Sequence, residues 1–175
     1  MNLYSQRDPA YKDRLLPKSN LTMGNYGCYV TAISILGQVH PTSLLINDNF
    51  ANGGLLYSSR AAKTAGMEYV RSSSKPSGWC IGVTDHYASN GFPTHFFVVN
   101  EELGLQIDPL EEKPAIEPLT YDCTQYRLFS GVKFKIEEEN EKIKKAISLN
   151  SEAWHLLAVA QAKLHESNNL LRSLS

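Results

Sequence analysis

Apolar positions recur with two different periods along this chain, and the change of period divides it. Within Cys28-Tyr29-Val30-Thr31-Ala32-Ile33-Ser34-Ile35-Leu36, the residues Val30, Ile33 and Leu36 fall on one helical face. This predicts a helix over 28–36, with Gly37 as its C-terminal stop. A second helix is predicted over 42–51, ending at Gly53-Gly54, and a third over 59–65, ending at Gly66. Beyond this point the period shortens to two. Segments 68–70, 79–83, 95–99, 105–107 and 133–136 read as strands, separated by Gly, Pro, Asn and Ser turns. Helices first and strands later predict an α+β domain built on an antiparallel sheet.

The pattern changes again near the end. Residues 137–175 contain neither Gly nor Pro. Ile143, Ile147, Asn150, Trp154, Leu157, Leu164 and Leu171 recur at helical spacing, approximating heptads, and Ala146, Ala153 and Ala160 join the same side. Glu137, Glu138, Glu139 and Glu141 favour the positive end of a helix starting there. The chain therefore divides into a domain over 1–136 and a helical tail over 137–175. Two readings of the tail stay open: a coiled coil or docking arm that joins copies or engages a partner, and a helix or hairpin folded on its own domain. In the second reading, Ser151 caps the helix that follows a break at Asn150-Ser151.

Composition narrows the function classes. The 175 residues are 42% hydrophobic and 20% charged, as expected of a globular protein with a sizeable core. A formal net charge of -1 offers no electrostatic pull toward nucleic acid, and no basic patch supports one. The three cysteines, Cys28, Cys80 and Cys123, are an odd number in a chain too large to need disulfide staples, which fits a reducing compartment. Residues 1–8 carry no apolar core of a secretory signal, and no apolar run approaches membrane-spanning length. The expectation is cytoplasmic synthesis without membrane insertion. No Cys or His pair has zinc-site spacing, and no glycine-rich phosphate loop occurs, so neither metal nor cofactor is expected.

Candidate chemistry centres on Cys28. Gly24-Asn25-Tyr26-Gly27 is a glycine-rich turn that runs into the first predicted helix. A thiol at a helix N-terminus meets the positive end of the macrodipole and unpaired N–H groups, which favour the nucleophilic thiolate. Such a nucleophile needs a base, a group that orients the base, and donors for an oxyanion. His95 opens the apolar run 95–99 at the mouth of a strand, and Asp108 ends the next strand candidate. Antiparallel pairing through the turn at 100–104 puts the two side by side. Gln6, in a polar stretch before the helix, is a candidate to join Cys28 N–H in an oxyanion hole. His86, beside Asp85, is a rival base in a turn-rich stretch. Cys80 reads as core, Cys123 as an exposed loop thiol, and His40, His155 and His165 as surface or packing residues.

Taken in order, Tyr4-Ser5-Gln6-Arg7-Asp8-Pro9, Met23-Gly24-Asn25-Tyr26-Gly27-Cys28, Thr94-His95-Phe96 and Asp108-Pro109 resemble the papain-like cysteine peptidases related to the bacteriocin leader peptidases, a group with many phage-encoded and cell-wall-associated members. The resemblance covers roughly the first 135 residues and leaves the tail uncovered. It implies a papain-like fold, in which the helix carrying the cysteine packs on an antiparallel sheet. It also implies Cys28 as nucleophile, His95 as general base and acid, Asp108 as its orienter and Gln6 as oxyanion donor.

The expected activity is hydrolysis of amide bonds, with peptidoglycan as the favoured substrate and a phage or bacterial lysin as the favoured role. The protein would then be virion-associated or released at lysis. Two alternatives stand beside it: a catalytically silent papain-like module within a larger assembly, and a protease acting on a leader peptide or protein.

Overall fold

The computed structural model describes residues 1–86, 94–135 and 163. The chain divides into two units, Met1–Lys135 and Ile136–Ser175. The tail readings fall outside the described residues, apart from Lys163. In the first unit the elements run α1 (Met23–Tyr26), α2 (Cys28–Gly37), 3-10 turns at Pro41–Leu44 and Asn47–Asn49, and α3 (Ser58–Thr64). The strands follow: β1 (Glu68–Ser73), β2 (Cys80–Thr84), β3 (His95–Asn100), β4 (Leu105–Ile107), β5 (Glu117–Pro118) and β6 (Gln125–Ser130). The class is α+β.

α2 is buried around its whole circumference from Val30 to Gly37, not along one face. A helix hydrophobic on all sides belongs in a core. Its two polar residues are made compatible with that core by bonding their own backbone. Thr31 Oγ1 donates to Gly27 O at 2.9 Å and Ser34 Oγ to Val30 O at 2.9 Å. The predicted stop at Gly37 is corrected. The left-handed residue is Gln38 (φ 52°), and the Val39 N–H reaches back to Ser34 O. Gly37 is needed for space, since a Cβ there would lie 2.7 Å from the Ala65 Cβ.

The helix expected over 42–51 is instead two 3-10 turns separated at Leu45-Ile46. Pro41 starts the first, and Asn49, buried, turns its amide onto Leu44 O, taking the hydrogen bond a longer helix would use. The third helix runs as expected and is followed by Gly66 in the left-handed region.

All pairings in the six-stranded sheet are antiparallel, in the order β1-β6-β2-β3-β4-β5. Strands at 68–70, 79–83, 95–99 and 105–107 match the expected positions within a few residues. The strand expected over 133–136 does not form at 133–135. There the Lys133 and Phe134 N–H groups donate to Leu36 O at the end of α2, and Phe134 is buried against Trp79. The sheet takes β6 instead, which lies between β1 and β2.

One register positions the site. β3 and β4 pair Val98 with Ile107 and Asn100 with Leu105. Carried one residue further, that register sets Asp108 across from Phe97, on the sheet face shared with His95.

Candidate active site

Cys28 stands at the first position of α2, immediately after the short α1. The break between the two helices requires a residue without a side chain. A Cβ on Gly27 would lie 2.4 Å from Met23 O and 2.8 Å from the Met23 sulfur. Cys28 is half-buried, and its sulfur acts on His95 closely enough to raise the pKa of the ring.

His95 is buried at the first position of β3. Its Nε2 is 2.8 Å from Asp108 Oδ1. With Nε2 held by the carboxylate, Nδ1 is the ring nitrogen left for the sulfur. The ring lies parallel to Phe97 (centroids 6.4 Å apart, planes at 9°), which limits its tilt. Burial pushes the His95 pKa down, but the hydrogen bonds to Asp108 and Cys28, with their charges, outweigh burial and raise it from 6.5 to about 9.

Both oxygens of Asp108 are hydrogen-bonded. Its Oδ1 also accepts the Leu110 N–H at 2.8 Å, and its Oδ2 accepts the Tyr121 hydroxyl at 2.7 Å. Burial pushes its carboxyl upward, yet the His95 hydrogen bond and charge, with the Leu110 and Tyr121 donors, hold it below the usual carboxylate range. Tyr121 was not anticipated. It lies in a loop after β5 with no periodic pattern around it, so no local signal marked it. Its ring also packs edge-on against Phe97 (5.1 Å) and at a 35° tilt against His86 (4.8 Å).

Gln6 is 1% exposed and pinned through its backbone, whose N–H donates to Pro109 O at 2.8 Å. The Asp108-Pro109 turn thus holds both His95 and the Gln6 segment. Gln6 Nε2 donates one hydrogen to Gly24 O at 2.8 Å. Its second N–H finds no acceptor among the described residues, and its Oε1 is buried without a partner. Gln6, Cys28 and His95 line one cleft of about 530 Å³, whose other walls are largely apolar, among them Val30, Phe50, Leu56 and Phe96.

The structure thus brings Gln6, Cys28, His95 and Asp108 to one site. His95 is the histidine that meets Asp108; His86 follows β2 and lies against the Tyr121 ring. Cys80 is core, as expected. Cys123 is not the exposed thiol expected: it packs on the cluster of Cys80, Phe97, Val99 and Tyr126, and burial pushes its pKa to about 11. His40 packs between Tyr4 and Tyr11 and caps the first 3-10 turn. Among the described residues no cluster of His, Cys, Asp and Glu could hold a metal ion, and no helix is long and apolar enough to cross a membrane.

Comparison with known protein families, with characterised proteins and with solved structures finds no match for this chain. The chemistry of the site therefore carries the functional reading.

Proposed function

We propose that this protein is a papain-like cysteine hydrolase of amide bonds, and that it acts on peptidoglycan as an endopeptidase or amidase. One observation carries the reading: a cysteine at a helix N-terminus shares a cleft with a buried histidine whose Nε2 is held by a buried carboxylate. Thiolate is the attacking form, and the imidazole beside the sulfur is placed to take the thiol proton.

In the proposed cycle the Cys28 sulfur attacks the carbonyl carbon, and the carbonyl π electrons move to oxygen. That oxyanion meets Cys28 N–H, which as the first residue of α2 has no intrahelical acceptor, and the spare N–H of Gln6. His95 gives its proton to the departing amine, and the C–N bond breaks to leave a thioester on Cys28. His95, now neutral, takes a proton from water. The hydroxide displaces the sulfur, and Cys28 and His95 return to their starting state. Asp108 keeps its charge throughout and fixes which ring nitrogen faces the sulfur.

The cell-wall substrate rests on the resemblance carried by the Gln, Gly-Cys, Thr-His and Asp-Pro segments, as does the role of a phage or bacterial lysin that is virion-associated or released at lysis. Digestion of purified sacculi by the protein and by its Cys28→Ala variant tests it. Expected are new amine and carboxyl ends, read by mass spectrometry, that vanish with the variant. Failure to release fragments from Gram-positive and Gram-negative sacculi alike would reject peptidoglycan as the substrate.

A further inference from the structure

The cleft has a second polar cluster that the reaction above does not use. Arg127 on β6 pairs across the sheet with Ser72 on β1. Its Nη1 donates to Ser72 Oγ and to Gln125 Oε1. Ser72 Oγ also bonds the Tyr69 hydroxyl at 2.8 Å, and the Tyr29 hydroxyl bonds Ser58 Oγ at 2.7 Å. Arg127, Ser72, Tyr69, Tyr29 and Ser58 line the same cleft as Cys28 and His95.

A guanidinium carries five N–H donors. Two on Arg127 are taken, both by neutral oxygens, and the other three have no acceptor among the described residues. Nor does a carboxylate meet it: His95 with Asp108 is the one ion pair among the described residues. A cation facing a largely apolar cleft, ringed by hydroxyls and lacking a counter-ion, is matched by an incoming carboxylate. Charge-assisted, two-pronged bonding to an arginine is about twice as strong as a neutral hydrogen bond.

The sheet register sets the distance. His95 is opposite Thr84, and Arg127 is opposite Ile81. Three residues along β2 and two strand spacings separate the backbones of His95 and Arg127 by roughly 14 Å, with Arg127 on the sheet face of Phe96 and His95 at the mouth of its strand. An extended peptide covers that in about four residues, and fewer once the arginine side chain reaches inward. Between the two ends lies the stacked pair Tyr29 and Phe96, with ring centroids 4.4 Å apart, each the residue after Cys28 or His95.

We propose that Arg127 is a specificity-determining residue that receives a substrate carboxylate, so that this protein selects acidic peptides bearing the carboxylate about two to four residues from the scissile amide. The inference rests on the reading of the cleft as the substrate site of an amide hydrolase. The carboxylate comes from an acidic side chain or from a free chain end.

The test is calorimetric binding of short N-acetylated peptides to the Cys28→Ala variant, which keeps peptide intact. One set scans Glu against Gln at each position with an amidated end; another keeps neutral side chains and leaves the terminal carboxylate free. The expected result is at least about tenfold tighter binding for a carboxylate at one position or at the end, and which set responds names its source. Adding Arg127→Gln removes the advantage, and Arg127→Lys keeps part of it. Equal binding of both members of every pair would overturn the inference, as would an advantage that survives Arg127→Gln in folded protein. The wild-type protein, given purified sacculi, separates the two claims. An Arg127-dependent advantage for acidic peptides, with no fragment released from sacculi by the wild-type protein, rejects the peptidoglycan-hydrolase reading and leaves the carboxylate site standing.

Discussion

Gln106 and Gln6 are each 1% exposed, yet the regions around them are built differently. Around Gln106 every polar atom of the carboxamide is used. Its Nε2 donates to Glu117 Oε1 and Thr120 Oγ1, and its Oε1 accepts the Thr120 and Tyr121 N–H groups. This closes the loop that delivers Tyr121 to Asp108. Around Gln6 the accounting stops short: one N–H is on Gly24 O, and the second, the donor an oxyanion needs, finds no acceptor among the described residues. A buried polar group left unmatched costs about 1–3 kcal/mol. The saturated region behaves as a support, and the unsaturated one as a place where a further group is to be bound.

That contrast predicts opposite outcomes for the two glutamines. Gln6→Ala is expected to lower kcat by about 10²–10³, the usual effect of removing one oxyanion donor. Its loss of stability is expected to be about 1 kcal/mol, for the Gly24 bond alone. Steady-state kinetics and urea unfolding of the same sample check both. Full activity in Gln6→Ala would break the comparison.

The support region also governs a pH dependence. The His95 pKa is raised from 6.5 to about 9, so its protonated form is the one that folding favours. That contribution is complete below about 6.5, declines as pH rises, and is gone above about 9. Asp108, held below the usual range, adds stability above that range that is lost as acid protonates it. Unfolding free energies from urea titrations between these limits are expected to fall by a few kcal/mol on the alkaline side, and Asp108→Asn is expected to flatten that limb. An unchanged alkaline limb in the variant would detach Asp108 from the His95 charge.

Gln106→Leu is expected to cost about 2 kcal/mol, because the Thr120 and Tyr121 N–H groups lose their acceptor. Activity per folded molecule should change little, the reverse of Gln6→Ala. Smallest is Tyr121→Phe, which removes one donor from a carboxylate that keeps two others. A fall of several-fold in kcat/KM, about 1 kcal/mol, is expected. An effect as large as that of Gln6→Ala would place Tyr121 in the reaction and not behind it.

How much of this could be read along the chain depends on the range of each constraint. Cys28 after Gly27, at the head of an apolar helix, is a local pattern, since the macrodipole and the unpaired N–H groups belong to one turn. The β3–β4 hairpin is also local, and it set His95 beside Asp108 through a short connection. Tyr121 and Arg127 lacked any such mark. Each acquires its role from a partner distant in sequence, Asp108 for one and Ser72 for the other.

The same division holds for the fold. Residue order alone determined the α+β class, the helix of Cys28 and four strands, because side-chain periodicity and glycine punctuation act within a few residues. Tertiary structure alone decided that β6 enters the middle of the sheet while 133–134 caps α2, that Gln38 and not Gly37 turns left-handed, and that 42–51 breaks into two turns. In each case the deciding partner is a buried backbone group or a neighbouring side chain that the local pattern does not contain: Leu36 O, the Ala65 Cβ, and the Asn49 amide on Leu44 O. Buried polar groups must be satisfied wherever the fold leaves them, and where that is depends on the packing of the whole domain.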